Sequence, residues 1–233
     1  MTFLDWIVLL FLAYQFTRRF LNYLSSKRPP SFVALDFETA SSAKQSVCQV
    51  AMVVVDKGEI IHSQSWLVHP HTAHFSEEMI RIHGITYAMV KGSPRFDKIW
   101  PEIEPYVLTY RTVAAHYAHF DIPVLLATLK HYGITPPHFQ VLDSCIAARI
   151  AWPFLQNHKL STVAGHLGVE LNHHDALSDA SAAANILIAA YSKWSFSLFK
   201  MSIDTVCDEQ EYKNVFFGRK KSQYRRDYGE YDD

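Results

Sequence analysis

The sequence predicts an α/β domain: a mixed sheet flanked by helices and preceded by an apolar N-terminal helix. Three observations carry that expectation. Three strand-like runs follow one another early in the chain, separated only by short turn-forming stretches. Further strand-like runs then alternate with segments of helical apolar spacing, the pattern of parallel strands joined by crossovers. The 233 residues are 49% hydrophobic, enough to bury one substantial core with extensions at either end.

The elements follow in order. Phe32 to Phe37 is a short apolar run bounded by prolines and acids, suiting a buried strand. Val47 to Asp56 is a valine-rich second strand, and Asp56-Lys57-Gly58-Glu59 reads as the turn into a hairpin partner, Glu59 to Val68. Ser76 followed by Glu77 and Glu78 starts a helix, and Gly84 stops it. A helix begins near Pro94, which Pro101 and Pro105 are expected to bend or divide. Thr112 to Ala115 and Phe139 to Leu142 are two further strands, with a helix from Ile122 to Tyr132 between them that ends at Gly133. Asp143 starts another helix, Ser161 caps a short one ending at Gly168, and Asp175 opens an alanine-rich helix to about Tyr191. The chain thus divides into an apolar helix (1–28), a main domain (31–192) and a mobile C-terminal extension (193–233).

The formal net charge of −1 offers no general electrostatic grip on a polyanion, so engagement of a short strand end fits better than tracking along a duplex. Cys48, Cys145 and Cys207 are widely spaced and form no C-x-x-C pair. They read as buried or incidental thiols in a reducing compartment, neither a zinc site nor a disulfide framework.

Phe3 to Phe16 is nearly all apolar, with Arg18, Arg19, Lys27 and Arg28 after it. A spanning helix needs about 20 apolar residues, so this run is short. Three readings compete: a tilted membrane anchor, an interfacial helix with its apolar residues at helical spacing, and a helix packed on the domain or a partner. A cleaved secretory signal is not expected, because no basic stretch precedes the run and no small-x-small site follows it. If the segment spans, the positive-inside rule leaves the main domain in the cytoplasm, attached to the inner face of the membrane. At the other end, Arg219, Lys220, Lys221, Arg225 and Arg226 precede an acidic terminus, which reads as a solvated charge run.

The chemistry gathers in a few acids. Asp36 and Glu38 close the first apolar run (ALDFET), Asp121 ends AHYAHFD, and Asp179 closes HHDALSD. An unpaired carboxylate is poor core material, and a divalent cation between several of them removes the cost. Alternation along a strand puts Asp36 and Glu38 on one face with Phe32 and Ala34. Their separation of roughly 6.6 Å lets both reach ions about 4 Å apart. Asp121, before Ile-Pro, also suits a helix N-cap. His174 and Asp179 are five residues apart, about 140° around a helix, so they share no helical face. His174 is therefore expected on the loop before the helix, and Asp179 inside it on the packing face with Ala182, Ala183 and Ile186. An imidazole that titrates near neutrality suits proton abstraction from water. His173, next door, is the competing imidazole.

Together these residues resemble the DEDDh 3′–5′ exonucleases of the ribonuclease H-like superfamily, the group that includes the proofreading epsilon subunit of bacterial DNA polymerase III. The likeness runs through LDFETA, VCQVAMVVVDKGEI, SEEMIRIHGIT, WPFLQNHKLSTVAGHLGV and HHDALSDA, covering residues 31–192. The subtype follows from the histidine five residues before Asp179, where the sister group has a tyrosine four before. The resemblance implies two Mg²⁺ or Mn²⁺ ions held by Asp36, Glu38, Asp121 and Asp179, with His174 as general base. One ion and His174 would generate the attacking hydroxide, and the second ion would stabilise the leaving 3′-oxygen. Phe37 and Thr39 fall where such enzymes contact the terminal nucleotide, and Ile85 falls in a stretch that borders the base. One departure stands out: the family's usual His-Asn before the second-motif aspartate is here His116-Tyr117.

The implied function is metal-dependent removal of nucleoside 5′-monophosphates from a single-stranded 3′ end, DNA favoured, in proofreading or repair. Two alternatives remain: an exoribonuclease or short-oligonucleotide hydrolase with the same machinery, and a catalytically idle module that binds nucleic acid or a replication partner. Ser195 to Phe199 (SFSLF) resembles the peptides by which replication proteins hold sliding clamps, without their leading glutamine.

Overall fold

The computed structural model describes residues 29–193 and 203–206. Its strands are β1 (Phe32–Thr39), β2 (Val47–Asp56), β3 (Glu59–Leu67), β4 (Thr112–Ala115), β5 (Phe139–Asp143) and β6 (Ile203–Val206). They form one sheet in the order β3-β2-β1-β4-β5-β6. β1, β2 and β3 pair antiparallel as two hairpins, β4 and β5 join in parallel, and β6 returns antiparallel. The expected mixed sheet is therefore present. The helices are α1 (Glu77–His83), α2 (Tyr87–Val90), α3 (Phe96–Tyr110), α4 (Ala118–His131), α5 (Ser144–Ala151), α6 (Leu160–Leu167) and α7 (Ala176–Lys193).

Strand alternation sorts the apolar residues onto two faces. Val33, Leu35 and Phe37 of β1 join a core with α3 and α4. Phe32 and Ala34 join a second core with α5, α6 and α7. The β2–β3 turn has positive φ at Lys57 (51°) and Gly58 (83°), as a tight hairpin requires. Gly58 is needed there twice over, because a Cβ would also lie 3.1 Å from the Pro29 side chain. α1 starts and stops as expected: Ser76 Oγ accepts from Met79 N (3.2 Å), and Gly84 closes the helix at φ 74°.

Some boundaries differ from the sequence expectation, each for a physical reason. α3 runs unbroken through Pro101 and Pro105. It buries Phe96, Ile99, Trp100, Ile103 and Val107, and five such side chains at roughly 1.5–3 kcal/mol each outweigh about 3 kcal/mol per proline. α4 begins at Ala118, four residues before Ile122, so Asp121 is inside the helix and does not cap it. α6 begins at Leu160, with Lys159 at the cap position in place of Ser161. Asn157 takes over the local polar work there, its Oδ1 accepting from Lys159 N (3.1 Å) and Thr162 Oγ1 (2.7 Å). β6 is a strand in the extension where none was expected, pairing Ile203 with Val141 and Val206 with Phe139. Among the described residues no helix is long and apolar enough to cross a membrane. The apolar run from Phe3, the charged terminus and the SFSLF peptide lie outside the described residues.

Candidate active site

The ladder between β1 and β4 is short. It pairs Val33 with Val113 and Ala34 with Ala114, and beyond those rungs β1 continues alone on that side. Sheet order reverses between these two strands, and the carboxyl ends at such a switch point are where open α/β sheets place their ligand crevice. Asp36 and Glu38 stand there, on the β1 face whose other members pack under α7. From the opposite layer, Asp121 reaches the same crevice. Its Oδ1 accepts from Phe37 N at 3.2 Å, so the strand's main chain bonds to a side chain of α4.

α7 supplies the remaining groups. Asp179 lies inside its first turn, while His173 and His174 precede the helix. His174 adopts a left-handed conformation (φ 68°), a strained state for a non-glycine residue, and its N–H donates to Asp179 Oδ2 at 3.1 Å. The imidazole bonded to that same oxygen belongs to His173, with Nδ1 donating at 2.9 Å. The two rings stack face to face, centroids 3.9 Å apart and 16° from parallel. Donor atoms of His173, His174 and Asp179 lie within 4.8 Å of one another, a spacing that could hold a metal ion.

Electrostatics tie the acids into one group. Burial lifts Asp36 well above its ordinary value, and Asp121, Glu38, Asp179 and Asp175 add to it. Burial, then Asp179, Asp121 and Asp175, push Glu38 from 4.5 up to about 8. Asp121 and Asp179 are also raised, chiefly by burial. The Phe37 N–H opposes the shift at the first, and His173 opposes it at the second. His174 is lowered by burial and by His173, which keeps it neutral and able to accept a proton. Such mutually repelling carboxylates persist in a fold when a cation neutralises them. One atom tests that fit: Asp179 Oδ1 is buried and has no hydrogen-bond partner among the described residues. An anionic oxygen left so is costly, and a hard divalent cation would satisfy it.

The three residues expected at the substrate are buried. Phe37 packs against Phe96 in the core at a centroid distance of 6.3 Å, so what it offers the crevice is main chain. Thr39 is buried too, and its carbonyl accepts from His83 Nε2 at 3.1 Å. Ile85 belongs to a small cluster with Ala40, Cys48 and Val90. Two neighbours were not expected at the site from sequence. Asp175 caps α7 through Ser178 N (2.9 Å) and adds its charge to the cluster. Its place at the start of the alanine-rich helix is as expected from the sequence, while its share in the charge cluster is not. His83 is held in one neutral tautomer: Nδ1 accepts from Ile85 N (3.0 Å), leaving Nε2–H for Thr39, and a proton added to it would lower His174 further.

A family model described as "Exonuclease" (RNase_T) matches residues 33–187, about two thirds of the chain. The chain belongs to the DEDDh-type 3′–5′ exonuclease family. Within it, the chain is 34% identical over 176 residues to the PolC-type DNA polymerase III of Clostridium perfringens, covering 74% of this chain and 12% of that protein. It is 32% identical over 162 residues to the DNA polymerase III epsilon subunit of Aquifex aeolicus, covering 68% and 79% respectively. The exonuclease chain thus spans about one eighth of the polymerase it matches, but most of the epsilon subunit. In fold it resembles the nuclease domain of 3′hExo, a DEDDh family member bound to rAMP. There the TM-score is 0.60 at 15% identity, over 71% of this chain and 94% of that one.

The charge cluster makes a prediction for the metal-free exonuclease. Between 4.5 and about 8 the folded protein holds a proton on Glu38 that the unfolded chain releases. Stability is therefore lost as pH rises through that window. Melting curves in a chelator should give a Tm that falls from the acidic to the alkaline side of the window, and Mn²⁺ should restore it. A Tm that climbs with pH in chelator contradicts the cluster.

Proposed function

We propose that this chain removes nucleotides one at a time from the 3′ end of a single strand, DNA favoured, releasing nucleoside 5′-monophosphates. The observation that carries this is the carboxylate group around Asp179, with its unpartnered buried oxygen. In this reading Asp36, Glu38, Asp121 and Asp179 hold two Mg²⁺ or Mn²⁺ ions. Such ions, when bound, lower the pKa of water and stabilise the leaving oxygen. His174 takes the proton from the attacking water, whose oxygen bonds to the terminal phosphorus as the P–O3′ bond breaks. His173, bonded to Asp179, keeps that carboxylate turned towards the crevice. The Phe37 N–H does the same for Asp121, and the short β1–β4 ladder leaves room for the strand end.

The expected result is release of labelled mononucleotide from a 3′-labelled oligomer in Mg²⁺ or Mn²⁺, stopped by EDTA. Absence of release in either metal refutes the reading and leaves an idle binding module. The polymerase III relatives favour DNA. A second reading, an exoribonuclease or oligonucleotide hydrolase, draws support from the bound rAMP of 3′hExo. Matched DNA and RNA oligomers separate the two, because a 2′-hydroxyl is the group that distinguishes them.

A further inference from the structure

Asp143 closes β5, yet its carboxylate serves two helices. Oδ1 accepts from Tyr117 N (3.2 Å), Cys145 N (2.8 Å) and Ile146 N (3.3 Å), and Oδ2 from Ala118 N (3.0 Å). Cys145 and Ile146 are in the first turn of α5, where Asp143 is the ordinary N-cap. Tyr117 and Ala118 open α4, which has no side-chain cap of its own. Asp143 therefore caps α4 from another strand, and the rung pairing Ala115 with Asp143 brings it into reach.

The α4 entry needs that support. Tyr117 sits at φ 63°, ψ 60°, left-handed space that a bulky residue enters only under constraint. The kink lets the helix begin with only two residues between it and the end of β4, and Asp121 follows Ala118 by about one helical turn. Asp121 Oδ1 then meets Phe37 N. With both oxygens engaged by main chain, Asp143 has another task than holding a ligand.

We propose that Asp143 is a positioning residue, which fixes the first turn of α4 and through it the place of Asp121 in the crevice. The inference rests on Asp121 being one of the metal-binding acids. Asp143→Asn keeps the shape but turns an N–H donor towards at least one backbone N–H. Mn²⁺ binding, followed by calorimetry, should weaken about 10- to 100-fold, the usual scale for a group that orients a ligand. Turnover should return towards the wild-type value at saturating Mn²⁺, and the Tyr117 and Ala118 amides should exchange faster with solvent. Ser31→Ala is the comparison for plain destabilisation. It removes a hydroxyl that bonds to Asp56 (2.9 Å) and Lys57 N (2.9 Å) at the opposite end of β1, and should lower Tm with Mn²⁺ binding unchanged.

Unchanged Mn²⁺ affinity and exchange in Asp143→Asn would overturn the proposal, as would lost turnover with intact Mn²⁺ binding. If the variant does not fold, the wild-type protein decides: slow exchange at Tyr117 and Ala118 supports the cap, and fast exchange refutes it. These readouts need no nuclease activity. A chain that releases no nucleotide but shows the Asp143 effect would defeat the proposed function alone.

Discussion

Asp179→Asn is expected to cut nucleotide release by more than about 100-fold, since losing even a group that merely orients a ligand costs 10- to 100-fold. The substitution replaces one buried oxygen by an amide nitrogen of nearly the same size, so packing around Ala182, Ala183 and Ile186 is preserved. What disappears is a negative charge that raises Asp36 and Glu38. The metal-free variant should therefore melt no lower than the wild type, and its Tm should respond much less to Mn²⁺. Loss of activity with a gain in metal-free stability is the signature of a residue kept for the ion rather than for the fold. Wild-type turnover in this variant, or a steep fall in its metal-free Tm, would remove Asp179 from the ligand set.

The second large effect separates the two stacked imidazoles. His174→Ala should lower kcat by about 10²- to 10⁴-fold, the range for losing a general base, with Mn²⁺ binding nearly intact. His173→Ala should act differently, because its Nδ1–H is what Asp179 Oδ2 accepts at 2.9 Å. That variant should bind Mn²⁺ more weakly and regain turnover as the ion is added in excess. His174 suits the base because it stands at the helix entry, burial and His173 lower its pKa, and among the described residues its ring makes no hydrogen bond to Asp179. Full activity in His174→Ala with irreversible loss in His173→Ala would exchange their roles.

Much of the architecture was legible because local chemistry announced it. Valine alternation and the Asp-Lys-Gly-Glu turn fix the hairpins, and the period of two correctly puts Asp36 and Glu38 on one face with Phe32 and Ala34. The positions of His174 before α7 and of Asp179 within it follow from helical geometry alone. What stayed hidden depends on distant partners. The start of α4 is not legible locally because its cap comes from Asp143, 25 and 26 residues away in sequence. The prolines of α3 are tolerated because one face is buried, which composition does not disclose. Asp121 read locally as a cap, and only the fold reveals its bond to Phe37 across 84 residues. The same limit applies to His173: its bond to Asp179 is a matter of loop path, set by the left-handed turn at His174.

The acids come from β1, α4 and α7, early, middle and late in the described chain, and α7 lies across β1 and β2. On the proposed ligand set, a chain still being synthesised lacks a complete cage for the ion until α7 has left the ribosome and docked. The early hairpins can form, but they carry only Asp36 and Glu38. Cation uptake on that set would report the docking of α7, and the proposed chemistry would be withheld from every chain that has not reached it.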